Sequence, residues 1–443
     1  MFSTQNPKEI LKGEKPKMKW IGPYSYTIKR WKEIHSMGKG VVTYKEYHSY
    51  NFMQNDSCGK CDPNQKILIP NIIFQKILET TNVGGKPKTG TMEPFVEPTV
   101  GEALFSGYSD EFLNSLCGSP LSFFCATFDL PEKIAFIENN TNNGIFEIST
   151  GELDNGESIG QILKWNNNTH LSLWNVDNLE KKIEGSDGGL YKPFIQKSDV
   201  LKIFAPGLCR SFPLEFSEEI DYKGLLGYRY VVSQSVFDDN SPENKKYCVF
   251  SGKKFFSENE TCLPKGLLDI SYCEKGSPPI VISLPNFHFA DNIVKQSVIG
   301  MNDSSTDHDA IFIDIEPRTG VLLRAFRRSQ INIAFWKGWD GREDARLMNV
   351  RNSIIPIFAQ FETVEIDNET FKSLFNRLIR SEEIASLLSK IAIILGIFIV
   401  MATALLLFIF PNRLNLCMEN RSRISVATTP YKHDKALSMS HIS

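Results

Sequence analysis

The longest uninterrupted apolar stretch of the chain lies near its C-terminus, from Ile384 to Phe410. Between Ile391 and Phe410 it contains no charged residue and no proline. A helix needs about 20 such residues to cross the apolar core of a bilayer, where it satisfies its own backbone hydrogen bonds. The run therefore predicts one transmembrane helix over 384–410. The preceding residues, 369–388, place Phe371, Leu374 and Leu378 at helical spacing and predict an amphipathic helix that continues into this span.

Short segments of β-branched and aromatic residues dominate the sequence from Val200 onward. Turn-forming clusters separate them, and Glu316 to Gly320 places Pro317 and Gly320 as a hairpin turn requires. Because no helical pattern alternates with these segments, the strands should form an antiparallel sheet. The segments are LKIF, GYRYVV, PIVISL, IFIDI, VLLRAF, INIAF and SIIPIFAQF.

The N-terminal part mixes both patterns. Residues 41–52 favour a strand, whereas 72–79 and 100–116 favour helices. Residues 133–138 and 145–149 read as a hairpin joined by Asn-Asn-Gly.

Glycosylation sequons indicate the side of the membrane on which this large region lies. An N-x-S/T site is used only in the secretory pathway, and several of them in loop-like sequence favour a luminal or extracellular domain. A further sequon, Asn420, follows the span and should be unused. The six sites before the span are Asn55, Asn139, Asn167, Asn259, Asn302 and Asn368.

The cysteines agree with this placement, since eight of the nine precede the span and an even number suits disulfides. Cys58 and Cys61 favour a local disulfide over half of a zinc site, because no second pair has zinc-ligand spacing. A disulfide between Cys117 and Cys125 is suggested only because the two residues lie close together in the sequence. Cys417, just beyond the span, is a candidate palmitoylation site, with a free thiol as the equal alternative.

Composition and motifs argue against several classes of protein. The net charge of -3 gives no nucleic-acid footprint. No hydrolase, zinc-protease, P-loop or dinucleotide motif occurs, so neither an enzyme nor a metal or cofactor is expected. The 31 phenylalanines suit a large core or the lining of an apolar cavity, and composition does not separate the two.

Several ordered motifs resemble the class B scavenger receptors. They include TVGEALFSGY (99–108) and SDVLKIFAPGLCRSF (198–212), then LDISYC, VISLPNFHFAD and IDIEPRTGVLL before the C-terminal span. The resemblance covers residues 6–410. It implies a glycosylated ectodomain with an antiparallel β-barrel-like core, a short helical apex and an apolar tunnel able to hold one acyl chain. It also implies disulfides Cys209–Cys273, which matches a family pair, and Cys248–Cys262, whose alternative partners are here Glu180 and Phe250.

The sequence departs from that family at two further places. The family's N-terminal span is missing, so either the sequence is incomplete or this isoform lacks the span. The segment between residues 74 and 99 is shorter than the family's helical bundle, so its basic ligand-contacting helix has no counterpart, and Lys86 and Lys88 are weak candidates for apical ligand contact.

The combined interpretation is a membrane receptor that binds lipids, fatty acids or lipoproteins and passes lipid to the membrane through the tunnel. Residues 1–383 form the ectodomain, 384–410 the transmembrane helix and 411–443 the cytoplasmic tail. The alternatives are a sorting or adhesion receptor for a protein ligand and a truncated isoform with impaired ligand capture. The tail has no acidic dileucine signal, which favours the plasma membrane over a lysosomal or endosomal membrane.

Overall fold

The computed structural model describes residues 1–80, 89–118, 133–171, 182–248, 255–257, 262–273, 276–301, 311–338 and 343–409. The chain divides into two compact units, Met1–Asp367 and Asn368–Ser443. The strands are β1 (Phe2–Thr4), β2 (Met18–Trp20), β3 (Tyr26–Gly38), β4 (Val41–Phe52), β5 (Ile69–Pro70), β6 (Phe95–Val96), β7 (Thr141–Ser149), β8 (Ile162–Trp165), β9 (Leu201–Ala205), β10 (Arg210–Tyr222), β11 (Leu225–Val232), β12 (Leu268–Asp269), β13 (Ile280–Ser283), β14 (Phe312–Glu316), β15 (Val321–Phe335) and β16 (Ser353–Glu365). The helices are α1 (Pro7–Ile10), α2 (Ile72–Thr80), α3 (Glu111–Cys117), α4 (Asn292–Lys295), α5 (Asn368–Phe375) and α6 (Ser381–Ile409).

Antiparallel sheets dominate the first unit, as the sequence predicts. The larger sheet has eight strands, in the order β12-β13-β15-β14-β11-β10-β9 with β16 paired to β15. β15 is its longest strand: β13 and β14 pair with successive parts of one edge, and β16 follows the other edge from Arg324–Glu365 to Phe335–Ser353. A second sheet has the order β3-β4-β7-β8, and two small ribbons join β1 to β2 and β5 to β6.

The largest apolar core packs α2 together with the central strands β15 and β16. Ile73 and Phe74 of α2 are almost fully buried, as are Phe335 and Ile355 of the two strands. The paired ends of β15 and β16 are buried at consecutive positions, so both faces of the sheet are covered there, and the apolar face of α2 packs into the same core.

A polar cluster lies inside this sheet with no exposure to solvent. Ser283, Gln330 and Asn332 are each fully buried. The Asn332 amide donates to the carbonyl of Val281 at 3.0 Å and to the Ser283 hydroxyl at 3.1 Å, and it accepts from the Gln330 amide at 2.8 Å. Gln330 also accepts from the backbone N–H of Asn286 at 2.9 Å. Polar side chains can be buried here because each finds a partner.

Two expectations for the N-terminal part are wrong. Residues 100–116 do not form one helix: a π-helical turn, Glu102–Ser106, is separated from α3 by Gly107, whose φ of 78° ends the helix. Residues 133–138 do not pair with 145–149, because the backbone of Ile134 bonds to Tyr108 and β7 pairs with β4 instead. The segments VLLRAF and INIAF form the single strand β15.

The second unit is described over residues 368–409. It is one helical run in which α5, a π-helical turn at Asn376–Arg380 and α6 follow without a break. Its 42 residues are long and apolar enough to cross a membrane. The prediction of an amphipathic helix that continues into the apolar stretch is confirmed.

Candidate functional site

Half-buried aromatic side chains collect on the face that β3 and β4 turn toward the π-helical turn Glu102–Ser106. Phe105 of that turn packs against Tyr26 and Tyr50, with ring centroids 4.9 and 5.2 Å apart, and Tyr26 contacts Phe52 at 5.4 Å. The alternation of the strands explains the grouping, because Tyr26 and Ile28 share a face and pair with Phe52 and Tyr50 of β4. All five residues keep part of their surface accessible, and Tyr26 and Phe105 also pack against the edge of the core around α2.

A charged group borders these rings. Arg30, two residues beyond Ile28 on the same face, forms an ion pair with Glu362 of β16 at 2.5 Å. Arg327 lies 3.9 Å from the same carboxylate. Glu362 is only 6% exposed, so two arginines meet one nearly buried acid. The contact joins the four-stranded sheet to the eight-stranded sheet.

The two tyrosines respond to this environment. Burial raises the pKa of Tyr26 to about 12, with a smaller contribution from Tyr24. The Tyr26 hydroxyl is buried and has no hydrogen-bond partner among the described residues. Burial and then the charge of Glu362 raise the pKa of Tyr50, while Arg30 and Arg327 act in the opposite direction. Both hydroxyls are therefore neutral near neutral pH.

We give the name interlayer space to the surroundings of Tyr26, Tyr50, Phe105, Gln360 and Glu362, where the two sheets meet through the Arg30–Glu362 ion pair. Gln360 belongs to it because it lies two residues before Glu362 on β16 and thus on the same face. It is half-buried, and so is its cross-strand partner Ser329. The interlayer space therefore combines half-buried aromatic rings, a hydroxyl without a partner among the described residues, and a charged end.

Sequence reasoning did not find the ionic group of the interlayer space. Arg30 and Glu362 lie 332 positions apart (362 − 30), and pairing at that separation is set by the fold. A local signal did exist: Arg30 occupies an inward position of an alternating strand, after Tyr26 and Ile28.

The structure contains disulfides between Cys58 and Cys61, Cys209 and Cys273, and Cys248 and Cys262. Cys209 is almost fully buried and ends a short 3-10 turn in the left-handed conformation, with φ of 46°. Its bond to Cys273 ties the start of β10 to the segment after β12. For the suggested pair Cys117–Cys125, the second cysteine lies outside the described residues, and so does Cys417.

The predicted glycosylation sites differ in accessibility. Asn55, Asn167 and Asn368 are exposed, whereas Asn139 is half-buried. The Asn139 oxygen accepts from the Tyr50 backbone N–H at 2.9 Å, and its nitrogen, the atom that would carry a glycan, donates to the Tyr50 carbonyl at 3.1 Å. Asn139 is thus the least accessible of these four. Asn259 and Asn302 lie outside the described residues.

Lys86 and Lys88, suggested for apical contact, also lie outside the described residues. The chain immediately after them is held by a charged clamp. Thr89 donates to Asp344 at 2.5 Å, and Arg346 binds Asp344 at 2.8 Å, Thr89 at 3.0 Å and the Met92 carbonyl at 2.6 Å. Although burial opposes ionisation, the hydrogen bonds from Arg346 and Thr89 lower the pKa of Asp344 to about 2.

Comparison with known proteins decides the family. The CD36 family profile matches residues 1–407. The chain belongs to the CD36 family. It is 32% identical to Lysosome membrane protein 2 of Mus musculus over 407 residues, which are 90% of this chain and 80% of that protein. It is also 30% identical to Scavenger receptor class B member 1 of Cricetulus griseus over 346 residues, 75% of this chain and 64% of that protein.

Membership in the CD36 family confirms the resemblance drawn from the motifs. These relatives are class B scavenger receptors and a lysosome membrane protein, and the long apolar helix of this chain fits a membrane receptor. The CD36 family consists of receptors rather than enzymes.

Proposed function

We propose that this CD36-family protein is a lipid-binding membrane receptor that holds single-chain lipids in the interlayer space and passes them to the bilayer. Its partners are then fatty acids, other lipids or lipoproteins. Residues 1–383 lie outside the cytosol, 384–410 cross the membrane and 411–443 form the cytoplasmic tail. The plasma membrane is the preferred location, with a lysosomal or endosomal membrane as the alternative.

The observation that carries this proposal is the half-buried state of the aromatic residues between the two sheets. Protein cores normally close on their aromatic rings and leave few voids larger than a water molecule. Ligand sites instead keep apolar walls accessible and add a few placed polar groups. Tyr26, Tyr50 and Phe105 fit the second description, and the unpartnered Tyr26 hydroxyl offers a hydrogen bond that no described residue uses.

Burial of an acyl chain supplies the driving force. Each methylene removed from water contributes about 0.8 kcal/mol before the costs of association. Arg30 and Arg327 at one end of the interlayer space carry one positive charge more than Glu362 neutralises. A chain lying along the aromatic wall can therefore place a polar or anionic head near these arginines.

A blocking substitution tests the proposal. Gln360→Trp adds a large ring to the face of β16 that carries Glu362, whereas Phe361→Trp changes the next residue on the opposite face, where Phe361 is 52% exposed. A fluorescent long-chain fatty acid, titrated into the glycosylated full chain in detergent, should bind saturably to the native protein and to Phe361→Trp. Binding to Gln360→Trp should fall by about tenfold or more, the effect of about 1.4 kcal/mol.

The result also separates the alternative. If the folded native protein shows no saturable fatty-acid binding, the lipid proposal fails and the protein-binding sorting or adhesion receptor remains. If both tryptophan variants bind as the native protein does, lipid is bound elsewhere than in the interlayer space.

The topology has a separate test in its sequons. The exposed sites Asn55 and Asn167 should carry glycans, so Asn167→Gln should lower the mass by one glycan on a gel after expression in a secretory host. Asn420→Gln should leave the mass unchanged, because the tail is proposed to be cytosolic. Detection of a glycan at Asn420 would contradict the proposed orientation of the chain in the membrane.

A further inference from the structure

A pocket outside the interlayer space lies where the chain around Phe255 meets the start of α4. Its volume is about 270 Å³. The lining is mixed: Phe255, Phe256, Leu263, Pro264 and Ile293 are apolar, and Asn240, Ser257 and the disulfide-bonded Cys262 lie beside them. Among the described residues, Asp291 is the one ionisable member of the lining. The size suits a small organic group rather than an acyl chain.

The Asp291 carboxylate has no partner in the part of the chain that the structure describes. Its backbone is engaged: the N–H donates to the Lys265 carbonyl at 3.0 Å, and the Asp291 carbonyl accepts from Val294 and Lys295 in the first turn of α4. The side chain makes no capping hydrogen bond to that turn. The backbone thus fixes the position of this residue, while its solvent-exposed carboxylate at the pocket remains accessible to a ligand.

The two phenylalanines supply a second feature that favours a cation. Their rings pack edge to face, with centroids 4.7 Å apart and planes at 80°. The Asn352 amide holds this segment by donating to the Phe255 carbonyl at 2.8 Å. An aromatic face attracts a cation through its quadrupole, and quaternary ammonium groups bind in such aromatic surroundings.

We propose that this pocket binds a small organic cation, an ammonium group with apolar substituents. The carboxylate of Asp291 compensates the charge, and the phenylalanines with Leu263, Pro264 and Ile293 contact the substituents. A neutral or anionic ligand of the same shape gains the apolar contacts but leaves Asp291 without a counter-ion, so the pocket discriminates by charge.

The test compares choline with its neutral isostere, in which carbon replaces the nitrogen. Each is titrated into the full chain in a maltoside detergent, and saturation-transfer NMR measures the binding. Choline should bind about fivefold more tightly than the isostere, and Asp291→Asn should remove that preference, a change on the scale of an exposed charge pair. Asparagine suits a helix N-cap as well as aspartate does, so the variant should fold normally.

Two further variants complete the test. Asp291→Lys places an ammonium group of the protein at the pocket and should abolish choline binding. Glu215→Gln, which removes an exposed carboxylate on β10, should change nothing. The proposal is overturned if choline and the isostere bind equally, if Asp291→Asn binds choline as tightly as the native protein, or if the native protein shows no saturable binding.

Discussion

Two regions of this molecule bury polar groups, and they differ in whether those groups have hydrogen-bond partners among the described residues. Inside the eight-stranded sheet, Ser283, Gln330 and Asn332 are sealed from solvent and bonded to one another. In the interlayer space, the Tyr26 hydroxyl has no described partner and the surrounding rings remain half-buried. The first arrangement is that of a closed core, and the second is the one that the proposed lipid site requires. Substitutions in each region can break or sharpen this contrast.

The largest effect is expected at Asn332. Asn332→Leu keeps a similar side-chain volume but removes the amide that forms hydrogen bonds with Val281, Ser283 and Gln330. The groups left unbonded in a dry interior should lower the free energy of unfolding by about 3 kcal/mol. Denaturant unfolding followed by tryptophan fluorescence measures the loss.

Gln360→Leu is the matched control for Asn332→Leu, since it makes the same kind of change in the interlayer space. Gln360 is half-buried, so the free energy of unfolding should stay within about 0.5 kcal/mol of the native value. Equal losses at the two positions would contradict the contrast between the regions.

An intermediate effect is expected at the clamp of Thr89, Asp344 and Arg346, which is charged and only partly sealed. Asp344→Asn should cost about 1–2 kcal/mol at neutral pH, because it weakens hydrogen bonds to a charged partner. The folded pKa of about 2 lies below the ordinary 3.8. The stabilisation is thus fully present above pH 3.8 and is lost as the pH falls toward 2. Melting temperatures measured across this interval should fall more steeply for the native protein than for Asp344→Asn, and parallel curves would rule out the clamp as an acid-sensitive contact.

The smallest effect has the opposite sign. Tyr26→Phe removes a buried hydroxyl without a described partner and should stabilise the protein by about 1 kcal/mol. Tyr24→Phe provides the comparison, because the Tyr24 hydroxyl donates to Gln65 at 2.8 Å and its loss should destabilise by a similar amount. Thermal unfolding of both variants measures the difference, and destabilisation by Tyr26→Phe would show that its hydroxyl is already satisfied.

The success of sequence reasoning follows the same division between regions. Alternation and turn residues predicted the antiparallel strands, because burial of one sheet face leaves a local pattern. Residues 327–330 of β15 interrupt that pattern with polar side chains, so one strand was divided into two. These polar side chains interact with Ser283 and Glu362, which come from distant segments of the chain, so no local pattern indicates that they belong to one strand.

The interlayer space shows the limit of sequence reasoning most clearly. The composition could not separate a filled core from an open cavity, since both need the same phenylalanines. The half-buried state of Tyr26, Tyr50 and Phe105 depends on how the sheets and the turn Glu102–Ser106 assemble, and no local pattern in the sequence records it. The predicted helix over residues 100–116 failed for a local reason, because Gly107 adopts a left-handed conformation that ends the turn carrying Phe105.

The pairing of β15 with β16 has a mechanical consequence. The chain continues from Glu365 of β16 through Ile366 and Asp367 into the helix that begins at Asn368. A pull on that helix therefore reaches the folded domain through β16. When the domain is held at the far end of β15, near Phe335, the load runs along the strands and shears the ladder, so that every rung from Arg324–Glu365 to Phe335–Ser353 shares it. Hydrogen-bonded pairs that are loaded together resist far more force than pairs that open one at a time, so this ladder makes the C-terminal strand the mechanically resistant end of the folded domain.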